Sequence, residues 1–183
     1  MYTKISRLAF IVISLVLSNI SHAAASYDEM VKVKAAIVQL KKDNPKVKNW
    51  ANLKLINHKK VGIILDLLRV KNIDNISSLK GLPLKIFILN KANVTDISAL
   101  KGMPLIELTM MHLPLKDISA LKGMPLKSLN LVGCEFSDIS VLKGMKIRKL
   151  RISNTKISDI KALKGMPLST LEISMTKVSD ISV

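Results

Sequence analysis

From residue 75 onward the chain repeats itself every 21 residues, without an insertion or a deletion. Five complete units run 75–95, 96–116, 117–137, 138–158 and 159–179, and a sixth starts at 180–183. Position 2 of the unit is always Ile (Ile76, Ile97, Ile118, Ile139, Ile160), position 5 is always Leu, and position 8 is Leu82 or one of Met103, Met124, Met145 and Met166. Positions 10, 13, 15 and 20 are apolar in every unit. A period this short permits few folds. One unit cannot bury its own apolar face, so the units must stack, each closing the core of the next, into a solenoid.

The chemistry inside the unit says how each coil is built. Alternation at positions 13 and 15 predicts a short strand with its apolar side turned inward. Asp-Ile-Ser-x-Leu-Lys-Gly predicts one helical turn, with Asp as its N-cap and Gly as its stop. Successive strands then lie parallel, about 4.8 Å apart. At about 1.5–3 kcal/mol for each buried large apolar side chain, seven such positions per unit can offset the entropy lost on ordering it.

Positions 10 to 20 read L-x-x-L-x-L-x-x-(A/L/C/T)-x-(V/L/F/I). The pattern resembles the leucine-rich repeat in its short bacterial form, and the flanking D-I-S-x-L is similar to internalin-type repeats. The resemblance implies an α/β repeat solenoid: a right-handed coil with a parallel β-sheet on its concave face and a helical cap at its N-terminus. Two departures stand out: internalin-type units are usually one residue longer, and no wall-sorting tail or surface-binding module follows the repeats. Adhesion is therefore not carried over from the resemblance.

Upstream of the repeats, three segments precede the regular array. Residues 1–23 carry Lys4 and Arg7 ahead of an apolar run from Leu8 to Leu17, and Ser21-His22-Ala23 fits a small-x-small cleavage site, the signature of a secretory signal. That run is about half the ~20 residues a membrane span needs. Residues 24–53 form a capping helix and lead-in: Ser26 and Glu29 are spaced as a capping box, and Met30, Val33, Ile37 and Leu40 fall on one stripe. Asp43-Asn44-Pro45 ends the helix. Residues 54–74 read as an irregular first coil with its strand at Val61–Leu67, residues 75–179 are the five repeats, and 180–183 begin a truncated sixth. An array stopping there predicts an open strand edge around Leu168–Ser174, inviting self-association or a covering partner.

Charge and residue types exclude several functions. Residues 1–23 take Lys4 and Arg7 and no acid with them, so the formal +16 of the whole chain becomes +14 on the exported part. Such a balance points to anionic envelope polymers, headgroups or an acidic protein, or simply to a lysine-solvated surface. Nucleic acid is the poorer partner, because the aromatic side chains left for base stacking are Tyr27, Trp50, Phe87 and Phe136. The single cysteine, Cys134, precludes an intramolecular disulfide and reads as a buried inert thiol. His58 and His112 fall in separate coils, with no Cys/His cluster at metal-ligand spacing. No phosphate loop or nucleophile elbow occurs, so neither a catalytic site nor a cofactor is expected.

Two columns and one face remain as candidates. The column Asp96, Asp117, Asp138, Asp159 and Asp180 is what repeated caps demand; a catalytic pair would need two different environments. Lys80, Lys101, Lys122, Lys143 and Lys164 form a lysine ridge that reads either as an anion-binding contact or as a solvated face. The outward strand positions 12, 14 and 16 vary from unit to unit. Ile86, Ile88, Met111 and Val132 predict an exposed apolar strip, and Lys149 and Arg151, next to Arg148, a basic spot beside it. The reading that follows is an exported, non-catalytic module binding a protein partner of unknown identity through its concave sheet. The alternative is an envelope-associated protein binding an anionic polymer or membrane surface through the lysine ridge and the basic segment Lys41, Lys42, Lys46, Lys48, Lys59 and Lys60.

Overall fold

The structure, a computed structural model, describes residues 25–182; the expected signal at 1–23 lies outside them. Among the described residues one α-helix, α1 (Tyr27–Asp43), is followed by seven strands: β1 (Lys54–His58), β2 (Gly62–Leu67), β3 (Leu84–Asn90), β4 (Glu107–Met111), β5 (Ser128–Asn130), β6 (Lys149–Arg151) and β7 (Thr170–Glu172). They form one open sheet in chain order. From β2 to β7 every pairing is parallel, and Phe87, Leu108, Leu129, Leu150 and Leu171 share one register row.

The repeat places its apolar positions where the period requires. Position 2 is at most 2% exposed in every coil, as is position 5, with Leu79, Leu100, Leu121 and Leu142 at zero. These side chains and their strand counterparts form one continuous core. It thins in the last coil, where Leu171, Ile173 and Val178 are only partly buried.

The turn that opens each of the five repeats differs in detail from the expected cap. It is a three-residue 3-10 segment, as at Ser98–Leu100, and the residue at its N-cap is Ile97, which makes no side-chain cap bond. Asp96 sits one residue earlier and acts as an Asx turn. Its Oδ1 accepts the Ser98 N–H at 2.7 Å and its Oδ2 the Ser98 hydroxyl at 3.0 Å. Asp117 and Asp138 bind Ser119 and Ser140 in the same way. The backbone amide of Ser98, then its hydroxyl, holds the Asp96 carboxyl below its ordinary range, and Ser140 does the same for Asp138. The column is thus a structural one. Gly at position 7 closes each turn with φ near +70°, as at Gly102, a conformation that suits a residue without Cβ.

The N-terminal cap matches its sequence signature. The Ser26 hydroxyl accepts the Glu29 N–H at 3.2 Å, and the Glu29 carboxylate accepts the Ser26 N–H at 2.8 Å. Val33, Ile37 and Leu40 are the buried stripe, with Met30 packed at its edge. Asn44, 2% exposed, joins the helix to the first coil. Its Nδ2 donates to the Leu40 and Asn75 carbonyls at 2.8 and 2.7 Å, and its Oδ1 accepts the N–H groups of Asp74 and Asn75 at 2.7 and 2.9 Å. Every hydrogen-bonding capacity of that amide is filled, so it fixes the angle at which the cap meets the solenoid.

The first coil departs from the expected single strand. Lys54–His58 pairs antiparallel with Gly62–Leu67, so a hairpin precedes the parallel array. Gly62, at φ +99°, has the Lys85 side chain in the place a Cβ would occupy. β2 is buried along its whole length.

Candidate binding surface

The outward-facing residues of the sheet stand in three rows across the strands. One row runs Ile64, Ile86, Glu107, Ser128, Lys149 and Thr170, and a second runs Asp66, Ile88, Thr109, Asn130, Arg151 and Glu172. The third is Asn90, Met111, Val132, Ser153 and Ser174, one pleat further along. Strand spacing thus brings the predicted residues onto one face, but not in one condition.

Ile86 and Ile88 are not an exposed strip. They are 1% and 7% exposed and belong to a second apolar cluster with Val61, Ile64 and Ile106, flanked by Ile56 and Leu68. The hairpin is the cause: β1 and β2 extend the sheet with apolar residues of their own on this face, and the isoleucines close over one another. Met111 and Val132 are half-buried, and accessible. Between them Asn130 donates from Nδ2 to the Met111 Sδ at 3.4 Å and accepts the Val132 N–H at 3.2 Å.

The predicted basic spot is present but partly neutralised. Arg148 and Arg151 are exposed and Lys149 is half-buried. Arg151 Nε donates to Glu172 Oε1 at 2.9 Å, with both side chains 47% exposed, an ion pair of small energetic weight that orients the guanidinium over the face. Ser174 donates to the Ser153 hydroxyl at 3.0 Å beside it.

The residue least foreseen is Glu107. It is an outward position of β4, yet it is 3% exposed, between Ile86 and Ser128 in register, and its Oε2 has no hydrogen-bond partner. Burial pushes its carboxyl up to about 7, against the opposing pull of Lys149. The sequence does contain a signal for this: an acid flanked by Ile86 one coil before and by Ile106 beside it.

The remaining candidates resolve simply. Cys134 is 2% exposed, its thiol donates to the Met110 carbonyl at 3.4 Å, and burial pushes its pKa up, away from the reactive thiolate. His112 is exposed and takes φ +55°, its ring filling the space beside Gly133. Among the described residues no group of three or more His, Cys, Asp or Glu is placed to hold a metal ion. Lys80, Lys101, Lys122, Lys143 and Lys164 are all exposed, each directly after its 3-10 segment, in one line along the flank of the solenoid. No helix among the described residues is long and apolar enough to cross a membrane.

No protein-family model matches the sequence, and no curated protein does. Among solved structures, the crystal structure of an internalin from Listeria monocytogenes is similar, with a TM-score of 0.59 and 28% sequence identity. The likeness covers 61% of this chain and 34% of the internalin, so the chain spans about a third of that protein's length.

Proposed function

Since the chain is an internalin-type leucine-rich-repeat protein, we propose that it is a non-catalytic, exported binding module that holds a protein partner on its concave sheet. The observation that carries this reading is a contrast within each coil. Inward side chains are nearly alike and closed, whereas the outward ones on β4 to β7 differ from coil to coil and, Glu107 apart, stay accessible on an in-register sheet. A rigid face with residues free to vary is what recognition uses in solenoids. Affinity would come from Met111 and Val132, with Arg151 as the polar anchor. The excess of positive charge would steer an acidic partner toward it. Export is supported by the signal-like sequence of residues 1–23 and by the likeness to an internalin.

The test is a cross-linking pull-down from envelope and secreted fractions at moderate salt, with Arg151→Glu and Val132→Arg as parallel baits. A discrete protein retained by the natural chain and reduced about tenfold by either variant, the loss of a typical hot-spot contact, is the expected result. Retention indifferent to both substitutions would refute the concave face as the site.

A further inference from the structure

The fourth coil breaks the repeat on its flank. Position 9 is proline at Pro83, Pro104, Pro125 and Pro167, but lysine at Lys146. The substitution falls on a groove of about 820 Å³ between the third and fourth coils. Lys122, Lys127, Lys143 and Lys146 line it, with Pro125 and Val141 among its apolar walls and no carboxylate in the lining.

None of these four lysines is ion-paired: the salt bridges among the described residues engage Lys46, Lys54, Arg151, Lys156 and Lys161. Lys143 also borders an adjacent concavity with Asp138 and Asp159. Both acids are already committed there, Asp138 to Ser140 and Asp159 to Lys161. Four unpaired ammoniums around one groove repel, by up to about 1 kcal/mol per pair in water. Folding gains nothing from adding Lys146, since the other coils build the same turn with proline. An anion lying in the groove reverses the sign of that interaction.

We infer that this groove binds a linear phosphodiester polymer of sugar or polyol units, with its phosphates on the four lysines and its carbon backbone against Pro125 and Val141. A rim of lysines alone presents point charges, suited to phosphate, without the arginine fork that selects planar carboxylates. The groove has no aromatic residue in its lining, so it lacks the stacking platform of a single-stranded nucleic-acid site. Being recessed between coils, it fits a chain entering lengthwise better than the plane of a bilayer. The site lies on the flank of the solenoid and is independent of the concave face.

The test uses fluorescent synthetic poly(glycerol phosphate), with binding read by anisotropy at low and physiological salt. Lys146→Pro restores the residue of the other four coils and so preserves the turn; it should weaken binding roughly threefold to tenfold. The pair Lys122→Gln with Lys143→Gln should weaken it by about tenfold or more, and the pair Lys101→Gln with Lys164→Gln, at the same repeat position outside the groove, by less than about twofold. Unchanged thermal unfolding of each variant confirms that binding alone was altered. Equal losses from the two pairs would overturn the site in favour of a diffuse ridge. Absence of binding would overturn it outright, as would equally tight, equally variant-sensitive binding of phosphatidylglycerol vesicles or of single-stranded DNA.

Discussion

The two halves of the sheet are built from nearly the same inward residues and yet have opposite concave faces. In the N-terminal half, β2 and β3 are six and seven residues long, and Ile64, Ile86 and Ile88 are sealed on the outer side as well as the inner. In the C-terminal half, β5, β6 and β7 are three residues each, and the same rows hold Asn130, Arg151 and Glu172 in contact with water. The inner face of a solenoid is dictated by stacking, but the outer face closes only where neighbouring strands present mostly apolar groups to it, as Ile56, Ile64, Ile86 and Ile88 do here beside the buried Asp66. The hairpin supplies that condition at one end, so the free surface begins at β4.

The largest effect should come from putting a charge on the same face of each half. Ile88→Asp places a carboxylate in the closed cluster and should destabilise the fold by about 4 kcal/mol, whereas Val132→Asp, on the open half, should cost less than about 1 kcal/mol. Urea unfolding of both variants measures the difference. Comparable losses would mean that the face is open, or closed, along its whole length.

Glu107 stands at the boundary between the halves and titrates because of it. Its folded pKa of about 7 lies above the ordinary 4.5, so the folded state holds the proton more tightly than the unfolded one. The contribution is therefore fully present below about pH 4.5 and is lost as the pH rises to about 7, by up to about 3 kcal/mol. Asp96, Asp138 and Asp180, whose carboxyls are held low by their serine partners, act in the opposite direction and only below the usual aspartate range. Denaturant unfolding between pH 5 and 8 should show the natural chain losing stability relative to Glu107→Gln. Parallel curves would show that Glu107 is solvated and that the boundary lies elsewhere.

The smallest effect probes something the halves share. Position 17 is left-handed in all five coils: Lys91 (φ 50°), His112 (55°), Gly133 (71°), Asn154 (54°) and Met175 (56°). Glycine suits that conformation, and lysine and methionine do not. Lys91→Gly and Met175→Gly should each raise stability by about 1 kcal/mol, read as a shift in unfolding midpoint. Unequal gains would mean that the halves differ in backbone as well as in surface.

Much of this architecture is legible in the primary structure because the repeat states it five times over. Ile76, Leu79 and Phe87 are inward in the first unit for the same reason as their counterparts in the later ones, and Ser26 with Glu29 forms the box that their spacing announces. Lys54–His58 was harder to read, since its residues do not follow the repeat and its partner β2 alone makes it a strand. The Arg151–Glu172 pair joins equivalent positions of successive coils, so its signal lies in the columns of the repeat rather than in any one unit. The signal of Lys146 lies there too.

Period, inward residues, the position of each turn and the helical cap were determined by sequence alone, because each rests on interactions within a coil or between identical neighbours. Which outward residues meet solvent was decided only by tertiary structure. Exposure on a concave face depends on what the adjacent coils and the hairpin place opposite each side chain. Ile86 and Glu107 are buried for that reason, although their own coils would have left them in water.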